Sequence, residues 1–216
     1  HLLKRNIEDV EITWDHGWKH WFPEPTAAQD IETLFFVIYR NVFDWLQSML
    51  KYPDHAAPHL KQMCFSEFIR AEWACVHDQD ASLEPHAADF GTEMLCERDP
   101  STGTRFANIL KLRTAKIQVL EQLRQSISTI HYLRHEELMA SREEFLQQVS
   151  RTYGMDLRSP IDPVHENRGY LSTPCVLPPP SPISAEDREF ILEKISLPVE
   201  HSIGYDYDVD VLAKSA

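Results

Sequence analysis

Glycine is scarce in this chain, with six in 216 residues. That scarcity disfavours a fold built on many tight turns and favours long helices. Long apolar runs are missing as well. The strongest, Ile31–Ile38, is interrupted by Glu32 and Thr33, and a membrane span needs roughly 18 apolar residues, so no transmembrane segment is expected. Cysteine is limited to Cys64, Cys75, Cys96 and Cys175, none in a CxxC pair. A secreted disulfide scaffold is shorter and denser in cysteine. The expectation is therefore buried thiols in a reducing, intracellular compartment, cytoplasmic or nuclear. The chain opens at His1 with neither Met nor a signal-like segment, as a fragment, a trimmed chain or a mature one would. No glycine loop for phosphate and no Gly-x-Ser-x-Gly is present, which removes the familiar nucleotide-binding and hydrolase signatures.

What is there is a long helical pattern over 104–153. Phe106, Leu110, Ile117, Leu120, Ile127, Leu138, Phe145 and Val149 fall on one stripe. Ile109, Leu112, Val119, Leu123, Ile130 and Leu133 fall on a second stripe beside it. An apolar sector this wide must be covered on more than one side. The fold class expected is all-α: an irregular helical bundle around one long central helix, 104–153, with an extended proline-rich C-terminal appendage. Ser141 with Glu144 has capping-box spacing, so a break near Ala140 is left open. Tyr153-Gly154 reads as the helix stop.

Three domains follow in order. Residues 1–25 form an aromatic-rich N-terminal arm in which Trp14, Trp18, Trp21 and Phe22 cluster. Residues 26–154 form the bundle. Its first helix starts at the Thr26/Gln29 capping box and runs to about Lys51, where Pro53 ends it. A second helix is expected from Pro58 to Val76 and a shorter one from Pro85 to Glu97. Asp99-Pro100-Ser101-Thr102-Gly103 is a loop. Residues 155–216 form the extension. Seven of the 14 prolines lie in 156–183, a polyproline-like composition. Ser184 to Asp187 opens a short helix, 185–195, and the last segment, Tyr205 to Val211, reads either as a strand or as an acidic tail.

The net charge is −13, and it is unevenly spread. Residues 104–153 hold 8 Lys/Arg against 5 Asp/Glu, whereas 1–103 hold 8 against 18. Arg105, Arg113, Lys116, Arg124 and Arg134 could form a patch for an acidic partner or a phosphate backbone, and a third functional reading is a membrane-peripheral or nucleic-acid adaptor that uses this basic helix. The plainer reading is that they pair with acids on neighbouring helices. The acidic total weighs against nucleic acid, whose binding is mostly electrostatic.

Chemistry is sparsely signalled. His131 and His135 stand four apart, and on a helix two imidazoles one turn apart can chelate a metal. The zinc-protease pattern needs Glu directly after the first His, and Tyr132 stands there. Neither is there the pair of Glu-x-x-His motifs of a di-iron bundle. Surface histidines explain the pair as well. Cys64, Cys75, His77 and Cys96 carry donors for zinc but at irregular spacing. Asp78, Asp80, Ser82 and Glu84 alternate like a calcium loop, yet Leu83 replaces the needed glycine. Pro179-Pro180-Ser181-Pro182 holds a PxxP core of the kind aromatic grooves bind.

The functional expectation is a non-enzymatic helical protein–protein interaction module, a subunit or scaffold of a larger assembly or a self-associating chain. Its contact residues would be Trp14, Trp18, Trp21, Phe22, Pro179, Pro180 and Pro182, with no cofactor and no catalytic residue. The alternative is an all-α enzyme or binding protein that holds a metal or haem through His131 and His135.

Overall fold

The computed structural model describes residue 22 and residues 34–53, 55–77, 90–157 and 182–207. These residues do not form an all-α bundle. Strand β1, Phe35–Tyr39, pairs in parallel with strand β2, Ile130–Arg134, in the register Phe35↔Ile130 through Tyr39↔Arg134. The expectation of one helix from Thr26 to about Lys51 fails at Phe35–Tyr39 for a local reason, while its start, 26–33, lies outside the described residues. Phe35-Phe36-Val37-Ile38-Tyr39 is a run of aromatic and β-branched side chains, which fit a pleated surface better than a helix. Val37 and Tyr39 are buried on one face while Phe36 and Ile38 lie on the other, the period of two that a strand imposes.

Helix α1, Val42–Lys51, begins only after the strand. Asn41 caps it, its side-chain oxygen accepting the Asp44 N–H at 3.0 Å, which satisfies a donor the helix leaves open. Val42 and Leu46 are fully buried. The helix expected over Pro58–Val76 shrinks to a 3₁₀ turn, Leu60–Gln62, and helix α2, Phe65–Arg70. Beyond it the chain is extended: Ala57 N–H donates to Ala74 O at 2.9 Å and Trp73 N–H to Phe106 O at 2.9 Å. Tertiary bonds have displaced helical ones there. The turn Leu95–Glu97 is likewise 3₁₀. The 99–103 loop forms as expected, closed by Gly103 N–H on Asp99 O at 2.8 Å with Gly103 at φ +70°, a conformation that costs glycine nothing.

The proposed central helix is four elements. Helix α3, Ile109–Leu123, is capped by Asn108. The chain then turns and enters β2. Helices α4, His135–Ala140, and α5, Arg142–Tyr153, follow, meeting at Ser141. Gly154 at φ +64° ends α5. The helical period ran on through 124–130 by coincidence, because Ile127 and Ile130 fell on the right stripes. Around Ile127, Ser126, Ser128 and Thr129 compete for backbone hydrogen bonds and weaken the helix. After a turn the same Ile130 serves a strand.

Helix α6, Ala185–Lys194, starts at Ser184, whose hydroxyl accepts the Asp187 N–H at 3.0 Å. Helix α7, Leu197–Ser202, follows. Two packed regions result. One joins α1, α2, the start of α3 and α6 through Val42, Leu46, Phe68, Ile109, Leu110 and Ile191. The other sets the inner sheet face, Val37 and Tyr39, against Ile117, Ile203 and Tyr205. Helix α3 contributes to both, so it is the hub, at less than a third of the length expected of it.

Candidate functional site

The sheet has helices on both faces. On the inner face lie α3 and the chain after α7. Tyr39 is buried there and donates to Glu121 Oε1 at 2.9 Å. Burial, and then the Glu121 carboxylate, push the Tyr39 hydroxyl far above the ordinary tyrosine range. Tyr132 on β2 donates to Leu120 O at 2.6 Å, with the Arg124 guanidinium 3.8 Å from its ring centre. Burial raises it to about 12. These hydroxyls are fixed donors and hold no mobile proton near neutrality.

On the outer face α5 covers only part of the strands. Phe145 meets Phe36 edge-on at 5.7 Å, and His131 stacks on Phe36 at 5.6 Å. His131 Nε2 is 2.5 Å from the Tyr153 hydroxyl. Phe36 remains 42% exposed and Ile38 52% exposed. Among the described residues the sheet has only these two strands.

The placement of His131 and His135 corrects their expected geometry. His131 lies in β2 and His135 is the first residue of α4. Four residues of extended chain span about 13 Å, against about 6 Å along a helix, so the one-turn chelating spacing is lost. Among the described residues no three His, Cys, Asp or Glu side chains gather as a metal site. Cys75 is buried, its Sγ 3.5 Å from Met94 O. Burial, aided by the neighbouring Glu97 carboxylate, pushes its thiol well above the ordinary range, the opposite of what a nucleophile or metal ligand needs. Cys64 is exposed at the start of α2. The calcium-like stretch, 78–84, lies outside the described residues.

Of the expected contact residues, Trp14, Trp18, Trp21, Pro179 and Pro180 lie outside the described residues. Phe22 is buried, with its ring 6.1 Å from that of Phe106. Pro182 is exposed just ahead of α6. The five basic residues singled out in 104–153 are each engaged. Arg105 bonds Glu93 and Glu72, Arg124 bonds Glu121, and Arg134 pairs with Glu137. Lys116 pairs with the buried Glu97, which also accepts Trp73 Nε1 at 2.7 Å. Arg113 is buried and bidentate to the buried Glu200, at 2.6 and 2.8 Å, and donates to Arg40 O at 2.9 Å.

The carboxyl end of a parallel strand followed by a helix N-terminus is a common place for an anion. Here the chain fills that place itself. Glu136 Oε1 accepts both the Asn41 N–H and the Asn41 side-chain amide at 3.0 Å, and Oε2 accepts the Tyr205 hydroxyl at 2.6 Å. Burial raises this carboxyl, but those hydrogen bonds outweigh it and hold the group at about 2. An open groove of ≈ 760 Å³ beside α3 is lined by Ala115, Gln118, Val119, Glu121, Asp99 and Ser101. Within it the Ser101 hydroxyl donates to Asp99 Oδ1 at 2.6 Å, and Asp99 Oδ1 also accepts the Ser101 N–H at 2.8 Å, the hydrogen bonds of a loop turn.

The sequence led to the expectation that Arg113 and Lys116 pair with acids on neighbouring elements, but it named neither Glu200 nor Glu97, and no local signal could have. It also missed the strand, for which the run Phe35–Tyr39 was a readable signal. Comparison with protein-family models, curated proteins and solved structures finds no match. The class rests on the fold itself: a small layered unit of helices about a two-stranded parallel sheet. No helix among the described residues is long and apolar enough to cross a membrane.

Proposed function

We propose that this chain is a non-enzymatic protein–protein interaction module, a subunit or scaffold of a larger assembly, and that the outer face of its sheet is a contact surface. One observation carries the reading. Strand β1 buries Val37 and Tyr39 while Phe36 and Ile38 stay 42% and 52% exposed. Parallel sheets otherwise occur with both faces covered. Exposed apolar patches of this kind mark contact sites. Trp14, Trp18, Trp21 and the Pro179–Pro182 segment remain part of the proposed contact repertoire. The free thiols Cys64, Cys75 and Cys96 support an intracellular, reducing setting.

The test is binding of the apolar-surface dye anilinonaphthalene sulfonate to the folded, diluted chain. Fluorescence enhancement that drops strongly in Ile38→Ser, with thermal unfolding unchanged, is the expected result. A folded chain that leaves the dye dark would overturn the reading.

A further inference from the structure

We infer that the occupant of the outer sheet face is an acidic, apolar segment of another protein, whose carboxylates are taken by Arg40 and Arg142. The inference rests on the interaction reading above and specifies the partner's chemistry. Acids outnumber lysine and arginine in this chain, 34 to 21. Carboxylates meet Arg70, Arg98, Arg105, Arg113, Arg124 and Arg134. Arg40 and Arg142 depart from that pattern. The Nε–H of each is shut off from solvent and has no hydrogen-bond acceptor. A guanidinium N–H taken from water without an acceptor is costly, and an anion supplied from outside is one of the few remedies.

Both arginines lie at the exposed apolar strip. Phe36 and Ile38 stand on the outer face. The same alternation carries Arg40, one residue past the ladder, to that face. Arg142 opens α5, the helix that sets Phe145 against Phe36. It precedes Phe145 by three residues, or about 4.5 Å of helix rise. A segment that lays apolar side chains on Phe36 and Ile38 therefore brings its carboxylates within reach of two guanidiniums. Both arginine side chains are partly exposed. Turned outward, each offers its Nε–H and one Nη–H side by side, the fork that matches the two oxygens of a carboxylate.

Long-range electrostatics works in the opposite direction. The net charge of −13 by itself draws a basic peptide and repels an acidic one. A preference for the acidic peptide has to come from guanidiniums at the contact.

The experiment is fluorescence anisotropy of the full chain with a labelled, end-blocked peptide of leucine and glutamate. Leucine–glutamine and leucine–lysine peptides of the same length are the comparison. The glutamate peptide is expected to bind roughly tenfold or more tightly than the glutamine one, the size of a charge-assisted hydrogen bond, and the lysine peptide weakest. Arg40→Gln and Arg142→Gln should each bring the glutamate peptide toward the glutamine value. Arg151→Gln should leave it unchanged, since Arg151 is exposed on α5 with its Nε on Gln147 O. Should the Arg40 and Arg142 variants lose their thermal transition, arginine Nε–Hε spectra of the natural chain decide instead. The glutamate peptide must then shift the Arg40 and Arg142 signals and leave that of the buried Arg113. Glutamine or lysine binding as tightly as glutamate, a glutamate preference that survives both substitutions, or unmoved Nε signals overturns the inference. Equal binding of all three peptides that is lost in Ile38→Ser, or dye binding at Ile38 with no peptide bound, defeats the acidic partner while leaving the contact surface standing. A chain that takes up neither dye nor peptide removes the surface itself.

Discussion

Glu200 and Arg113 illustrate how much a single side chain can carry in this chain. Both are almost fully buried and bonded to each other through two hydrogen bonds. Arg113 also lies 4.9 Å from the Trp45 ring centre. A buried charge stripped of its partner is costly, by about 3–5 kcal/mol. Glu200→Ala is expected to lower unfolding free energy by that order, read from urea denaturation. Replacing both residues together with apolar ones of similar volume should recover most of the loss, since a well-packed apolar pair often matches a buried ion pair.

Glu136 sets a second test at the same scale. Its carboxyl is held at about 2, below its ordinary 4.5. A depressed carboxyl contributes stability that is present above the ordinary value and is lost as pH falls through the folded one. Stability should therefore decline between about pH 4.5 and 2. In Glu136→Gln that acid slope should flatten while stability near neutrality is already reduced, as acid titration of the circular dichroism signal would show.

At the scale of elements, the chain's local punctuation could be read and its pairing could not. Ser184 with Asp187, the 99–103 loop, the stop at Gly154 and the break at Ser141 are all signalled within a few residues, and each is where the chain turns or caps. The parallel ladder is a different kind of fact. Phe35 meets Ile130, and nothing near either residue names the other. The long-helix reading failed at 124–129 because side-chain period was weighed without backbone propensity: Gln125-Ser126-Ile127-Ser128-Thr129 keeps the stripe but prefers to turn. Of the site, His131 could be read only as one of a possible chelating pair, and its neighbours could not be read. It lies in a strand, stacks on Phe36 and meets Tyr153, so His135 is not one helical turn away. Amide exchange provides the check. Protection is expected to be strong in 112–123 and 145–153 and weaker at 124–127, whose amides close turns onto 121–123, whereas one continuous helix would protect 124–127 as strongly as its flanks.

At the scale of the whole molecule, the two C-terminal helices belong to the core. Ile191, Leu192 and Ile195 pack with Val42, Leu46 and Phe68, Glu200 holds Arg113, and the Tyr207 hydroxyl accepts the Val42 N–H at 2.9 Å. A chain ending at residue 182 would leave that apolar surface open and Arg113 unpaired. It is expected to show no cooperative thermal transition by calorimetry. If it melted as sharply as the whole chain, α6 and α7 would be a detachable appendage.

The ladder between Phe35–Tyr39 and Ile130–Arg134 also bears on how the protein is made. Ribosomes release the first of these segments 95 residues before the second. At synthesis rates of about 5–20 residues per second, that leaves an uncharged, aromatic stretch unmatched for about 5–20 s. During that interval it is a natural client for a chaperone and a hazard in its absence. Slowing translation downstream of Tyr39 should therefore lower the yield of folded protein more than the same delay placed after Arg134.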